Sequence, residues 1–139
     1  MGIPSMEEIF GPEGIMMKGF PAFEHREEQL ELAESVAGAL ASEGGYTLAA
    51  EAPPGVGKTF ALLAPAMLRA SASGETVLFL TASIPLQEQL IMKDLPRLNE
   101  LLGLDLPFGL LKGKGNYACL SRAEEASEAN EQTLIHFAS

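Results

Sequence analysis

Tyr46-Thr47-Leu48-Ala49-Ala50-Glu51-Ala52-Pro53-Pro54-Gly55-Val56-Gly57-Lys58-Thr59 is the stretch on which the fold reading turns. Residues 46–50 form a short apolar run behind Gly44-Gly45, which predicts a buried strand. Residues 51–57 are a Pro/Gly loop. From Lys58 to about Ala72 the chain reads as a helix, apolar nearly all round, as expected beneath a sheet. Strand, glycine loop and helix thus follow one another directly.

The loop 52–59 matches the phosphate-loop pattern, with Ala52 in place of the first glycine. Such a pattern arises by chance on the order of once in a hundred chains of this length. The chemistry explains its spacing. A polyphosphate needs several backbone N–H groups converging on it. Gly55 and Gly57 let the chain turn without a Cβ in the way. A helix starting at Lys58 adds its free N–H groups and the positive end of its dipole. Lys58 supplies a point charge for the β- and γ-phosphates, and Thr59 a hydroxyl for Mg²⁺. Pro53 and Pro54 donate nothing but stiffen the approach. The competing readings are an ordinary Gly/Pro turn with a solvated lysine, and a dinucleotide fingerprint. The second needs a small residue at position 60, where Phe60 stands.

Working outward, residues 26–42 read as a helix. Leu30, Ala33, Val36, Ala37 and Leu40 share one face, with Glu27, Glu28, Glu31 and Glu34 off it. Arg26 and Gln29 lie at i and i+3, hence on one face. An amide side chain can read the donor–acceptor edge of adenine, so Gln29 is a candidate for selecting ATP over GTP; the alternative is a solvated polar face. Downstream, Thr76-Val-Leu-Phe-Leu-Thr81 reads as the clearest strand, apolar as in a sheet covered on both faces. Ser83 can cap the next helix, with Pro85 in its first turn. Pro96 predicts either two helices, 85–94 and 96–102, or one kinked helix. Residues 108–111 read as a weak strand and 122–138 as helical. Residues 1–24 read as an irregular lead-in. The alternation predicts an α/β fold with a parallel sheet and right-handed crossovers.

The chain has 139 residues, 47% of them apolar and 20% charged, which fits one globular domain. No apolar run reaches the ~18 residues of a membrane helix, and no secretory signal is visible. The single cysteine, Cys119, excludes an internal disulfide framework. These features predict a reduced, cytoplasmic protein. Net charge is −10, unevenly spread: residues 1–51 carry −8, residues 52–115 carry +1, and residues 116–139 carry −3. The acidic total argues against broad nucleic-acid binding. A polyanion would have to bind the middle segment, which holds every lysine except Lys18.

Several stretches together resemble a known family. Phe23-Glu-His-Arg-Glu-Glu-Gln29 followed by Glu51–Thr59 looks like the opening of a superfamily 2 helicase. Thr81-Ala-Ser-Ile-Pro-Leu-Gln-Glu-Gln-Leu90, Lys93-Asp-Leu-Pro96 and Leu111-Lys-Gly-Lys-Gly-Asn-Tyr-Ala-Cys119 narrow the resemblance to the DinG and XPD branch of ATP-dependent DNA helicases. The resemblance implies a RecA-like P-loop NTPase fold, here incomplete, with a motor domain over 25–115. It implies that 116–139 begins an iron–sulfur insertion.

It places Arg26, Gln29, Pro54, Gly55, Val56, Gly57, Lys58, Thr59 and Phe60 on ATP, with Lys58 and Thr59 as catalytic groups and Thr59 on Mg²⁺. It places Thr81, Ser83 and Gln87 on single-stranded DNA, where helix capping and a solvated face are the alternative. It makes Cys119 one of four thiolates of a [4Fe–4S] cluster in a complete protein; the alternative is a small buried side chain.

The sequence also departs from that pattern. No apolar strand ends in Asp-Glu, Asp105 being followed by Leu106. Three further cluster cysteines are absent. The expectation is therefore an N-terminal fragment of a larger helicase, with negligible hydrolysis on its own and a possible homodimer through the face a missing domain would leave open. The competing functions are a small stand-alone P-loop kinase or NTPase, and a non-catalytic interaction module.

Overall fold

The computed structural model describes residues 2–117 and 121. Cys119 and the helix expected over 122–138 lie outside the described residues. Two compact units divide the chain, Met1–Gly109 and Leu110–Ser139. The first contains α1 (Met6–Phe10), α2 (Ile15–Gly19), α3 (Glu27–Ala41), α4 (Lys58–Ser73), α5 (Ile84–Gln89), a π-helical turn (Leu90–Asp94) and α6 (Leu95–Leu101). The second contains a 3₁₀ turn, Lys114–Asn116. Here the Tyr117 hydroxyl accepts the Lys112 N–H at 2.8 Å. No described helix is long and apolar enough to cross a membrane.

The parallel sheet expected from the sequence is not there. Among the described residues no strand occurs, and the folded part is helical. Segments 46–50, 76–81 and 108–111 carry no ladder, and most of their large apolar side chains are exposed, Leu78 by 75% and Leu80 by 81%, while Phe79 is half-buried against the core. The physical reason is that a strand is not a local object. Its N–H and C=O groups are satisfied only by a neighbouring strand, so an apolar run states a need for a partner without supplying one.

Helices close their hydrogen bonds internally, and here the sequence reading and the structure agree. In α3, Leu30 and Ala33 are buried, while Glu27, Glu28, Glu31 and Glu34 stay in water. In α4 the buried set, Ala61, Leu63, Ala64, Pro65, Ala66, Met67 and Leu68, spans most of the circumference. Gly74 ends α4 at φ 70°, its N–H bonded to Ala70 O at 2.9 Å. Pro96 acts as expected of an interrupter. It has no N–H to return to the preceding turn, and the helix ahead of it widens, with the Leu95 N–H reaching Leu90 O.

Residues 1–24, read as irregular, hold two short helices. Ser5 and Glu8 form a reciprocal cap on α1: Ser5 Oγ accepts the Glu8 N–H at 3.2 Å, and Glu8 Oε2 accepts the Ser5 N–H at 2.7 Å. The cap delivers Ile9 and Phe10 into a core shared with Met16, Leu30, Ala33, Ala61, Leu63, Met67, Leu90 and Leu98. Helix α2 meets α6 so closely that a Cβ on Gly19 would strike Leu101. Arg97 seals that seam, donating to Gly19 O at 2.6 Å and lying 5.3 Å from the Phe20 ring centroid.

Candidate nucleotide site

The loop 52–57 runs into α4 through two glycines in left-handed conformation, Gly55 at φ 85° and Gly57 at φ 87°. Gly57 is the residue before the first turn, and its carbonyl accepts the N–H groups of Phe60 (3.1 Å) and Ala61 (3.3 Å). Helix α4 is 16 residues long, so its N-terminal N–H groups and dipole form a genuine positive end. Between the glycines, Val56 is only 8% exposed and anchors the loop to the protein.

The start of α3 grips this loop. The Arg26 guanidinium donates to the Gly55 carbonyl through Nη1 and to Glu24 Oε2 through Nη2, at 3.1 Å. Gln29, 2% exposed, donates Nε2–H to the Gly57 carbonyl at 2.9 Å. A Cβ at Gly57 would run into the Gln29 amide, so glycine is required there by space as well as by φ. Lys58 curls back over its own loop, its Nζ donating to Ala52 O (2.7 Å) and Pro53 O (2.9 Å). Thr59 is half-buried in the first turn, and Phe60 packs against Phe20 with ring centroids 5.3 Å apart.

Arg26, Gln29, Gly55, Gly57 and Lys58 are thus one connected constellation. Thr81, Ser83 and Gln87 form another, at the start of α5. Thr81 Oγ1 accepts the Ser83 N–H at 3.2 Å, Gln87 Nε2 donates to Thr81 O at 3.2 Å, and Ser83 Oγ accepts the Leu86 N–H at 3.4 Å. Among the described residues no hydrogen bond joins the two groups. Glu24 escaped the sequence reading; its spacing two residues from Arg26 was the signal available.

The donor set suits a polyphosphate: left-handed glycines, a helix N-terminus and an exposed lysine ammonium. For Mg²⁺ the chain offers the Thr59 hydroxyl. Among the described residues no cluster of three His, Cys, Asp or Glu could hold a metal, so phosphate oxygens and water would supply the remaining ligands. A [4Fe–4S] cluster does not fit this chain by itself, since its one cysteine provides one of four thiolates.

No model of a known protein family matches the sequence. Individual proteins do. The chain is 42% identical over 124 residues to the ATP-dependent DNA helicase YoaA of Escherichia coli, covering 89% of this chain and 19% of that protein. It is 37% identical over 124 residues to the ATP-dependent DNA helicase DinG of E. coli, covering 88% and 17%. It is 36% identical over 115 residues to the 3'-5' exonuclease DinG of Bacillus subtilis, covering 83% and 12%. These matches bear out the resemblance: the chain is a relative of the DinG-type DNA helicases. It spans less than a fifth of the length of these three relatives.

Proposed function

We propose that this chain is the ATP-binding portion of a DinG-type DNA helicase, which couples ATP hydrolysis to DNA unwinding in the complete protein. The observation that carries this reading is the loop itself. Gly55 to Thr59 open a 16-residue helix through two left-handed glycines, in a chain 37–42% identical to the DNA helicases YoaA and DinG of E. coli. Gly55, Val56, Gly57 and Phe60 belong to the cradle, with Pro54 stiffening its approach. When bound, Mg²⁺ would neutralise charge on the β- and γ-phosphates. Lys58 exchanges its two carbonyl partners for phosphate oxygens. Thr59 is the residue whose hydroxyl would hold the metal.

Arg26 and Gln29 bound the cradle on the α3 side, where the base would lie. Thr81, Ser83 and Gln87 offer hydroxyl and amide groups for a single strand's phosphates. Hydrolysis needs a carboxylate that activates water, and no apolar strand ending in Asp-Glu supplies one. Nucleotide binding with negligible turnover is therefore the expected behaviour of the chain.

Thermal unfolding of the 139-residue chain with Mg–ATP tests this reading, because a ligand that binds only the folded state must raise the midpoint. The midpoint should rise with ATP concentration, and Lys58→Ala should abolish the rise. An unchanged midpoint at millimolar ATP would remove the proposal. Turnover that Lys58→Ala eliminates would reassign the chain as a stand-alone NTPase.

A further inference from the structure

The Gly57 carbonyl is held three times over, by Phe60 N–H, Ala61 N–H and Gln29 Nε2. The Gly55 carbonyl has a single described partner, Arg26. This asymmetry matters because a trans peptide is planar, with its C=O and N–H pointing in opposite directions. All described peptides are trans. Holding Gly57 O inside the helix therefore aims the Lys58 N–H out of the helix start. Holding Gly55 O against Arg26 aims the Val56 N–H away from Arg26. The first orientation is enforced by the helix whatever else happens. The second is not: no helix bond holds the Gly55 carbonyl, so without Arg26 this peptide is free to tilt, short of the full flip that would force the β-branched Val56 to a positive φ that no described non-glycine residue adopts. The held orientation presents the Val56 N–H to an anion; a tilted peptide turns that N–H away from it.

We propose that Arg26 is a positioning residue that locks the Gly55–Val56 peptide with its N–H available to phosphate. The proposal rests on the nucleotide-site reading above and deepens it. Arg26 acts here on the phosphate end, through the backbone, and not on the base. Glu24 supports it by holding the second guanidinium nitrogen at 3.1 Å, which fixes the plane of the fork. The Arg26 side chain is 41% exposed, so its removal leaves no hole in the core.

The test compares Mg–tripolyphosphate, which has no base, with Mg–ATP on the ¹⁵N-labelled full chain. Wild type should bind both, with the Val56 amide resonance moving in each titration. Arg26→Ala should weaken both by the same factor, about tenfold, and quench the Val56 response while the melting midpoint holds. The loss should persist at about 0.5 M salt, where a merely Coulombic contribution is screened. Arg26→Lys should restore part of the affinity, and Glu24→Ala should give a smaller loss of the same kind.

Arg26→Ala binding tripolyphosphate like wild type while losing ATP would overturn the proposal and place Arg26 on the base. A deficit that vanishes in high salt would overturn it in favour of charge alone. Wild type failing to bind tripolyphosphate and ATP would instead sink the site reading itself. If Arg26→Ala unfolds, the Glu24→Ala and Arg26→Lys titrations carry the same discrimination.

Discussion

Leu68 and Leu80 both sit in apolar runs, yet Leu68 is 6% exposed and Leu80 81%. Helix α4 satisfies its own backbone apart from the N–H that Pro65 lacks, so its side chains are free to pack against α3 and α6. Run 76–81 has no backbone partner among the described residues, and of its large apolar side chains Phe79 is half-buried against the core while Val77, Leu78 and Leu80 stay exposed. Burial follows satisfied hydrogen bonding here, not the strength of the apolar pattern.

The sharpest way to break this contrast is to delete side chains in both regions. Phe10 is fully buried against the core, with Phe23 6.4 Å away between ring centroids. Phe10→Ala should cost about 3–5 kcal/mol in urea unfolding. Leu80→Ala should change stability by no more than about 0.5 kcal/mol. A large loss at Leu80 would mean that run 76–81 is covered in solution, and the comparison would fail.

Two glycines of almost identical φ sharpen the same point at finer scale. Gly44 (φ 90°) faces open space, whereas Gly57 (φ 87°) faces the Gln29 amide. Gly44→Ala should cost only the left-handed strain, about 1 kcal/mol. Gly57→Ala should cost that strain plus the collision, about 2 kcal/mol or more. Adding Gln29→Ala to Gly57→Ala should recover the excess, and a double-mutant cycle on melting midpoints measures it. Equal costs at the two glycines would show that Gln29 does not press on the loop.

What could be read from the sequence follows the same division. Helices α3 and α4 were legible because the spacing of Leu30 and Ala33, the Gly44-Gly45 stop and the loop before Lys58 are local signals. Helix α1 was equally local, through Ser5-x-x-Glu8 ahead of Ile9-Phe10, but so short a periodic segment went unread. The sheet was inferred from runs whose partners no pattern could supply. At the site, the i, i+3 spacing of Arg26 and Gln29 brought both to one face, and both meet the loop there. That they grip carbonyls 28 and 29 residues away, and that Lys58 bends onto Ala52 and Pro53, depends on tertiary placement that composition and spacing do not encode.

The smallest expected effect lies at the boundary between the two regions, where α4 gives way to run 76–81. Glu75 Oε2 accepts Arg69 Nε at 2.9 Å and Ser73 Oγ at 3.0 Å. The Arg69 hydrogen bond, then that of Ser73, then the Arg69 charge hold this carboxyl below its ordinary 4.5. A carboxyl lowered on folding contributes stability that is complete above the unfolded value and drains away as pH falls through the folded one. Glu75→Gln should therefore be slightly less stable than wild type at pH 7, and the gap should close between about pH 5 and 3. Melting midpoints at stepped pH measure it. The site is in water, so the gap is small and should shrink further with salt. A gap that widens on acidification would mean that Glu75 is paired in the unfolded chain instead, and that α4 ends without help from the residues that follow it.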